Sequence, residues 1–486
     1  MADLKQKATE GIAWSAVEKY SRMIIGFISG IILARLLTPF DYGCIGMLAI
    51  FMELAESITN SGFSSALIQR KRPSQEDYST IFFWNIGMAM VMYAILYFCA
   101  PAIARFYDIP LLSKVLRVQG LVVFIYAFNI IYWNRLVKAL NFKLIAIISL
   151  ASTIVALVVT IWMAYKGYGV WALVAQNLVS SAIAFLVFRF YVRWRPSLVF
   201  SWKSFKELFS FGFYMFMTNL INTFCNRVQG LLIGKVYEPT TMGYYSKAQN
   251  TETLASTSIA QIMSRVSYPL YAEIQDDKVA LQNMIKRLTM SISYITFPML
   301  LLLVVCAKPI FILLYSDRWV ASIPYFQVLC LAGLAICLHS IQLQSLAAIG
   351  KSKLMFHAML IKRAVGLCAV IGGLCFYGMK GLLVGAVIDS WFSYLYNALL
   401  VSKQIGYSFR RQILDLLPVA IVSALAGLAC YGMDCLFDLN LYVEGGLKVL
   451  LFLAIYLGWS FLFKPEAFKY IKSIVTPYLK KLFHRA

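Results

Sequence analysis

The chain has 486 residues, 61% of them hydrophobic, with a mean hydropathy of +0.74 and a formal charge of +22. That apolar content excludes a soluble globular domain and predicts an all-α polytopic membrane protein. No basic soluble module exists to carry nucleic-acid binding, so the positive charge is read as membrane orientation.

A span needs about 20 mainly apolar residues. Such stretches fall near 12–36, 43–66, 79–103, 113–135, 143–165, 169–192 and 207–234, then near 241–266, 286–307, 322–347, 354–377, 381–402, 412–434 and 446–463. That predicts about 14 transmembrane helices, the second, eighth and tenth being the weakest by hydropathy. Met1-Ala2-Asp3-Leu4-Lys5 has no cleavable-signal layout, so the first helix is expected to stay as a signal anchor.

In chain order, the first helix opens amphipathically with Trp14, Glu18, Lys19 and Arg22 and ends at the turn Thr38-Pro39-Phe40-Asp41-Tyr42-Gly43. The second carries Glu53, Glu56 and Asn60 on one face and leaves through the basic run Arg70-Lys71-Arg72. Spans three to six are ordinary. The basic segment Val192–Leu208 then marks the best domain boundary. The seventh helix aligns Asn219, Asn222, Asn226 and Gln229 in one stripe beside Arg227. After Glu238-Pro239 the eighth loses any hydrophobic face across Thr241–Thr253, which includes Lys247, Asn250 and Glu252. Polar groups in hydrocarbon cost several kcal/mol each without a partner or water, so these faces are predicted to line a wet cavity.

The second half echoes the first. Pro39 and Gly43 recur as Pro239 and Gly243, an offset of 239 − 39 = 200. Pro101 with Tyr107 recurs as Pro309 with Tyr315, Lys143 as Lys353, and Gly169 as Gly381. Repeats of six spans keep the same topology. The reading gives an N-terminal lobe at 1–200, a C-terminal lobe at 201–405, two extra helices at 406–465, and an amphipathic cytoplasmic tail at 466–486, broken near Pro477. Basic residues alternate so that both termini fall in the cytoplasm. The scattered cysteines form no Cys-x-x-Cys pair, so neither disulfides nor metal are expected. There is no P-loop and no Ser/His/Asp constellation, so no enzyme and no cofactor are expected. Drive would come from an H+ or Na+ gradient or from the substrate's own gradient.

Three stretches carry a family resemblance: Ile32-Leu33-Ala34-Arg35-Leu36-Leu37-Thr38-Pro39-Phe40-Asp41-Tyr42-Gly43, Gly62-Phe63-Ser64-Ser65-Ala66-Leu67-Ile68-Gln69-Arg70, and Tyr268-Pro269-Leu270-Tyr271-Ala272-Glu273-Ile274-Gln275-Asp276-Asp277. The sequence resembles the multidrug/oligosaccharidyl-lipid/polysaccharide exporter superfamily, in its bacterial polysaccharide-transport branch of O-antigen and exopolysaccharide flippases, over roughly residues 10–400. Tyr271 stands where that branch is expected to have serine. The resemblance implies two six-helix lobes around a central cavity lined by helices one, two, seven and eight, plus two C-terminal helices. It implies alternating access and movement of an undecaprenyl-pyrophosphate-linked oligosaccharide across the bacterial inner membrane, for lipopolysaccharide or other surface polysaccharide. The polar stripes reach the same four helices independently. Expected partners are this substrate and membrane lipids, with no nucleic acid; a polymerase or assembly partner is left open.

A pyrophosphate-linked sugar needs fixed cations with amides and hydroxyls. The candidate cations are Arg22, Arg227, Lys247, Arg265 and the pair Lys362-Arg363; the candidate amides are Asn222, Asn226 and Asn250. Each cation has the alternative of pairing with a carboxylate or snorkelling to an interface, and each amide that of helix–helix hydrogen bonding. Glu53 and Glu56 are candidates for ion coupling or for pairing with Arg22 or Arg227; Glu252 and Asp389 are further carriers. A cation-coupled multidrug exporter of the same fold is the alternative function. A membrane glycosyltransferase or polymerase is disfavoured by the short outside loops.

Overall fold

The structure, a computed structural model, describes residues 2–436 and 440–473. Its described residues are helices and their connections, forming two compact units, Met1–Ser246 and Lys247–Ala486.

The first unit holds α1 (Ala2–Leu36), α2 (Pro39–Asn60), the short α3 (Phe63–Gln69), α4 (Gln75–Phe106), α5 (Leu111–Gln119), α6 (Leu121–Lys138), α7 (Phe142–Tyr165), α8 (Val170–Tyr191), α9 (Trp202–Val236) and the opening of α10 (Pro239–Glu273). Local chemistry sets these limits. Thr38 caps α2 in a capping box with Asp41, with Pro39 pre-set in the first turn. Ser74 and Asp77 repeat the device at α4. Ser61 and Gly62, both with positive φ, turn the chain from α2 into α3. Beyond α8, the 192–201 segment is tied to α4. Trp194 packs among Tyr78, Phe82 and Tyr132, and its Nε1 donates to Gln75 Oε1 at 2.6 Å.

The second unit holds the rest of α10, then α11 (Lys278–Val305), α12 (Ala307–Tyr315), a 3-10 turn (Asp317–Ser322), α13 (Ile323–Ala348), α14 (Ser352–Ile405), α15 (Phe409–Leu436) and α16 (Leu441–Phe463). α14 packs on α13, α13 and α15 pack on α11, and α16 packs on α15. α14 is two helices joined at Gly378, whose backbone (φ 60°, ψ −141°) lies outside the helical region.

Ten of these segments among the described residues are long and apolar enough to cross a membrane, counting α14 once. The chain is therefore an all-α polytopic membrane protein. α1, α9 and α10 have the length but not the apolar content. The second span qualifies as the least apolar of the ten, in line with its weak hydropathy, whereas the tenth is not weak and the first and seventh join the eighth as polar helices. α1 also begins earlier than the expected residue 12. The tail is helical over 466–473; its continuation to 486, including Pro477, lies outside the described residues.

Gly169 opens α8 at φ 55°, ψ −128°. Its counterpart in conformation is Gly378 and not Gly381, because only glycine adopts this region without strain. Within the first unit, the turns at Pro39 and Pro239 meet reciprocally. A Cβ on Gly43 would run into the Pro239 carbonyl oxygen, and one on Gly243 into that of Pro39.

Candidate functional site

In the first unit the polar faces of α2 and α9 lie against each other. Small residues let the backbones approach: Cβ atoms on Gly230 and Gly234 would stand 3.8 Å from the Gly46 carbonyl oxygen and 2.8 Å from Met47 Cγ. This brings Arg227 onto Glu53, with Nε donating to Oε2 at 2.7 Å and Nη2 donating to Oε1, a bidentate pair. The two side chains remain 40% and 38% exposed, so the pair is not sealed. Of the two alternatives the sequence held for Glu53, the geometry is that of an ion pair with Arg227.

The rest of the stripe is graded. Asn226 and Asn219 are exposed and Asn222 half-buried, while Gln229 accepts from Tyr245 Oη at 2.5 Å. Glu56 is partly buried, within reach of the charges of Glu53 and of the Tyr126 hydroxyl. Arg22 is placed elsewhere: its Nη1 pairs with Glu18 Oε1 at 3.0 Å, one turn back on α1.

In the second unit the sequence placed Lys247 on a wet face, but the residue is 4% exposed. Its Nζ lies 3.9 Å from the centroid of the Tyr315 ring and 5.6 Å from that of Trp319, so aromatic faces supply its counter-charge. Tyr315 is held by its hydroxyl, 3.1 Å from Thr251 Oγ1. Asn250 is exposed. Glu252 is buried against α13, where Gly333 leaves the space that its carboxylate fills. The side chain of Arg265 lies outside the described residues.

Lys362 is buried, 3.2 Å from His339 Nε2 and donating to Asn397 Oδ1 at 3.0 Å. Asp389, on the second half of α14, sits where a Cβ on Gly366 would reach and within the field of both Arg363 and Lys362. The fold thus gathers Lys362, Arg363 and Asp389 from the two halves of one broken helix. Sequence reading missed the Tyr315–Trp319 roof over Lys247 and the His339–Lys362–Asn397 contacts. The recurrence of Tyr107 as Tyr315 was the available signal for the first; residue spacing held none for the second.

The arrangement offers a half-exposed cation–carboxylate pair flanked by amides, with α9 too polar for lipid. It can bind a polar, anionic group within a membrane protein. The model of the family described as polysaccharide biosynthesis protein matches residues 32–324. The Lipopolysaccharide biosynthesis protein WzxC of Escherichia coli (strain K12) is 24% identical over 442 residues, covering 88% of this chain and 89% of that protein. The Succinoglycan biosynthesis transport protein ExoT of Rhizobium meliloti (strain 1021) is 24% identical over 401 residues, covering 82% and 79%. Among solved structures, the Lipid II flippase MurJ in an inward closed conformation superposes with a TM-score of 0.77 at 17% identity, covering 93% of this chain and 98% of that one, a likeness of fold.

Proposed function

Because the chain belongs to the polysaccharide biosynthesis protein family, we propose that it is a transporter flipping an undecaprenyl-pyrophosphate-linked oligosaccharide across the bacterial inner membrane. The movement is from the cytoplasmic to the outer leaflet, by alternating access, and supplies surface polysaccharide synthesis. The observation that carries this reading is the Glu53–Arg227 pair, held half-exposed on α2 and α9 beside Asn222 and Asn226. A planar guanidinium that already grips one carboxylate can exchange it for a phosphate oxygen at little geometric cost.

Deletion of the gene is the test. It should trap lipid-linked repeat units on the cytoplasmic leaflet and remove surface glycan. Unchanged glycan and lipid precursor, in a strain with no paralogue, would overturn the reading.

For ion coupling, Glu53 is committed to Arg227 and Asp389 faces two cations. Glu56 and Glu252 are the remaining candidate carriers of H+ or Na+. In proteoliposomes, an imposed H+ or Na+ gradient should speed flipping by the native chain and not by Glu252→Gln. Equal rates with and without both gradients would remove coupling from the scheme.

A further inference from the structure

Besides the Glu53–Arg227 pair, the first unit holds a half-open cavity of about 500 Å³ walled by α1, α2, α3, α6, α7 and α8. The volume lies within the range of roughly 300–1,000 Å³ usual for small-molecule sites. Apolar side chains (Ile68, Ile130, Ile148, Phe188) and polar ones share the lining. Amides (Asn60, Asn129, Asn134) and hydroxyls (Ser64, Ser149, Ser180) line it, with Tyr126 and Trp133 as aromatic wall.

Some of these polar groups serve the bundle. Asn134 Nδ2 donates to Ser64 Oγ at 3.0 Å, and Ser64 Oγ donates to Asn60 Oδ1 at 2.7 Å. Asn129 Nδ2 donates to the Ser181 carbonyl at 3.1 Å. The other end of that amide is unspent: Asn129 Oδ1 is buried and meets no hydrogen-bond donor among the described residues. That oxygen is closed to solvent and so is not presented to the cavity.

Charge then narrows the occupant. Arg22 is the single charged residue in the lining, and its guanidinium is bonded to Glu18 at 3.0 Å. Glu18 also accepts from Ser149 Oγ at 3.2 Å. Amides and hydroxyls therefore outnumber charged groups in the lining. Hydroxyl and amide partners beside flat aromatic rings suit an uncharged sugar, whose hydroxyls hydrogen-bond and whose C–H face packs on a ring.

We propose that this cavity docks uncharged sugar residues of the lipid-linked oligosaccharide, while the α2/α9 pair receives the pyrophosphate. The inference rests on the flippase reading and deepens it. In the proposed orientation the cavity lies toward the cytoplasmic ends of α1, α2 and α6, where loading begins.

The test uses the full chain in nanodiscs and two probes: undecaprenyl pyrophosphate carrying a neutral trisaccharide, and undecaprenyl pyrophosphate with no sugar. Ser180→Leu should fill the cavity, and Trp133→Ala should remove its aromatic wall. Each variant should weaken binding of the sugar-bearing lipid by about tenfold and leave the sugar-free lipid within about twofold of the native value. Arg227→Glu should weaken both probes. Equal loss of both probes in the cavity variants, or no loss of either, overturns the sugar site while the flippase reading stands. A native chain that binds neither probe overturns both.

Discussion

Arg227 and Glu53 form a pair that the sequence could suggest but not choose. Glu53 had Arg22 and Arg227 within plausible reach, and α1's own Glu18 takes Arg22 instead. With both partners about 40% exposed, the pair is screened by solvent and contributes about 1 kcal/mol or less to stability. That is small against the roughly 5–15 kcal/mol that holds a domain together, so substitution there should spare the fold. Arg227→Glu places two carboxylates together and should abolish surface glycan without lowering the amount of protein in the membrane. The exchange Glu53→Arg with Arg227→Glu restores the pair but moves the cation to the other helix. It should leave export below about a tenth of native. Full export by the exchanged protein would make the pair a helix clasp and nothing more.

At the scale of elements, the opening turns of α2 and α10 are kept in register by glycines that leave no room for a side chain. The crossing of Pro39–Gly43 with Pro239–Gly243 is reciprocal, so an alanine at either glycine meets a carbonyl oxygen of the other turn. Backbone cannot swing aside as a side chain would, and the two turns must separate. Gly43→Ala and Gly243→Ala should each cost about 1–3 kcal/mol, read as a lowered melting temperature of the purified protein. Because both act on one crossing, the double variant should cost less than the sum. A native-like melting temperature for either single variant would show that the crossing yields freely. Gly378 makes the same point about α14: its positive φ splits one hydrophobic run into two helices and turns Asp389 back toward Lys362 and Arg363.

For the whole molecule, the alternation of basic segments predicts both ends in the cytoplasm. Cysteine or epitope tags at residues 2 and 486 should resist membrane-impermeant labelling from outside and react after permeabilisation; labelling of either end in intact cells would break the proposed topology. Fold alone does not name the substrate. The cation beside amides on α2 and α9, together with a hydroxyl-lined side cavity, favours a lipid-linked sugar over a cationic drug.

The sequence by itself determined the solvent and the helical class. Each depends on composition, period and turn residues, which short-range chemistry fixes: Thr38 with Asp41 caps α2 whatever the rest of the chain does. It also marked α9 and α10 as helices lipid would not accept. Only the tertiary structure decided which charges meet. Lys247 lies beneath Tyr315 and Trp319, residues 68 and 72 positions further on (315 − 247 and 319 − 247), and Lys362 meets His339 and Asn397 across three helical segments. Such partners are set by packing between distant elements, and no local spacing in the chain encodes them.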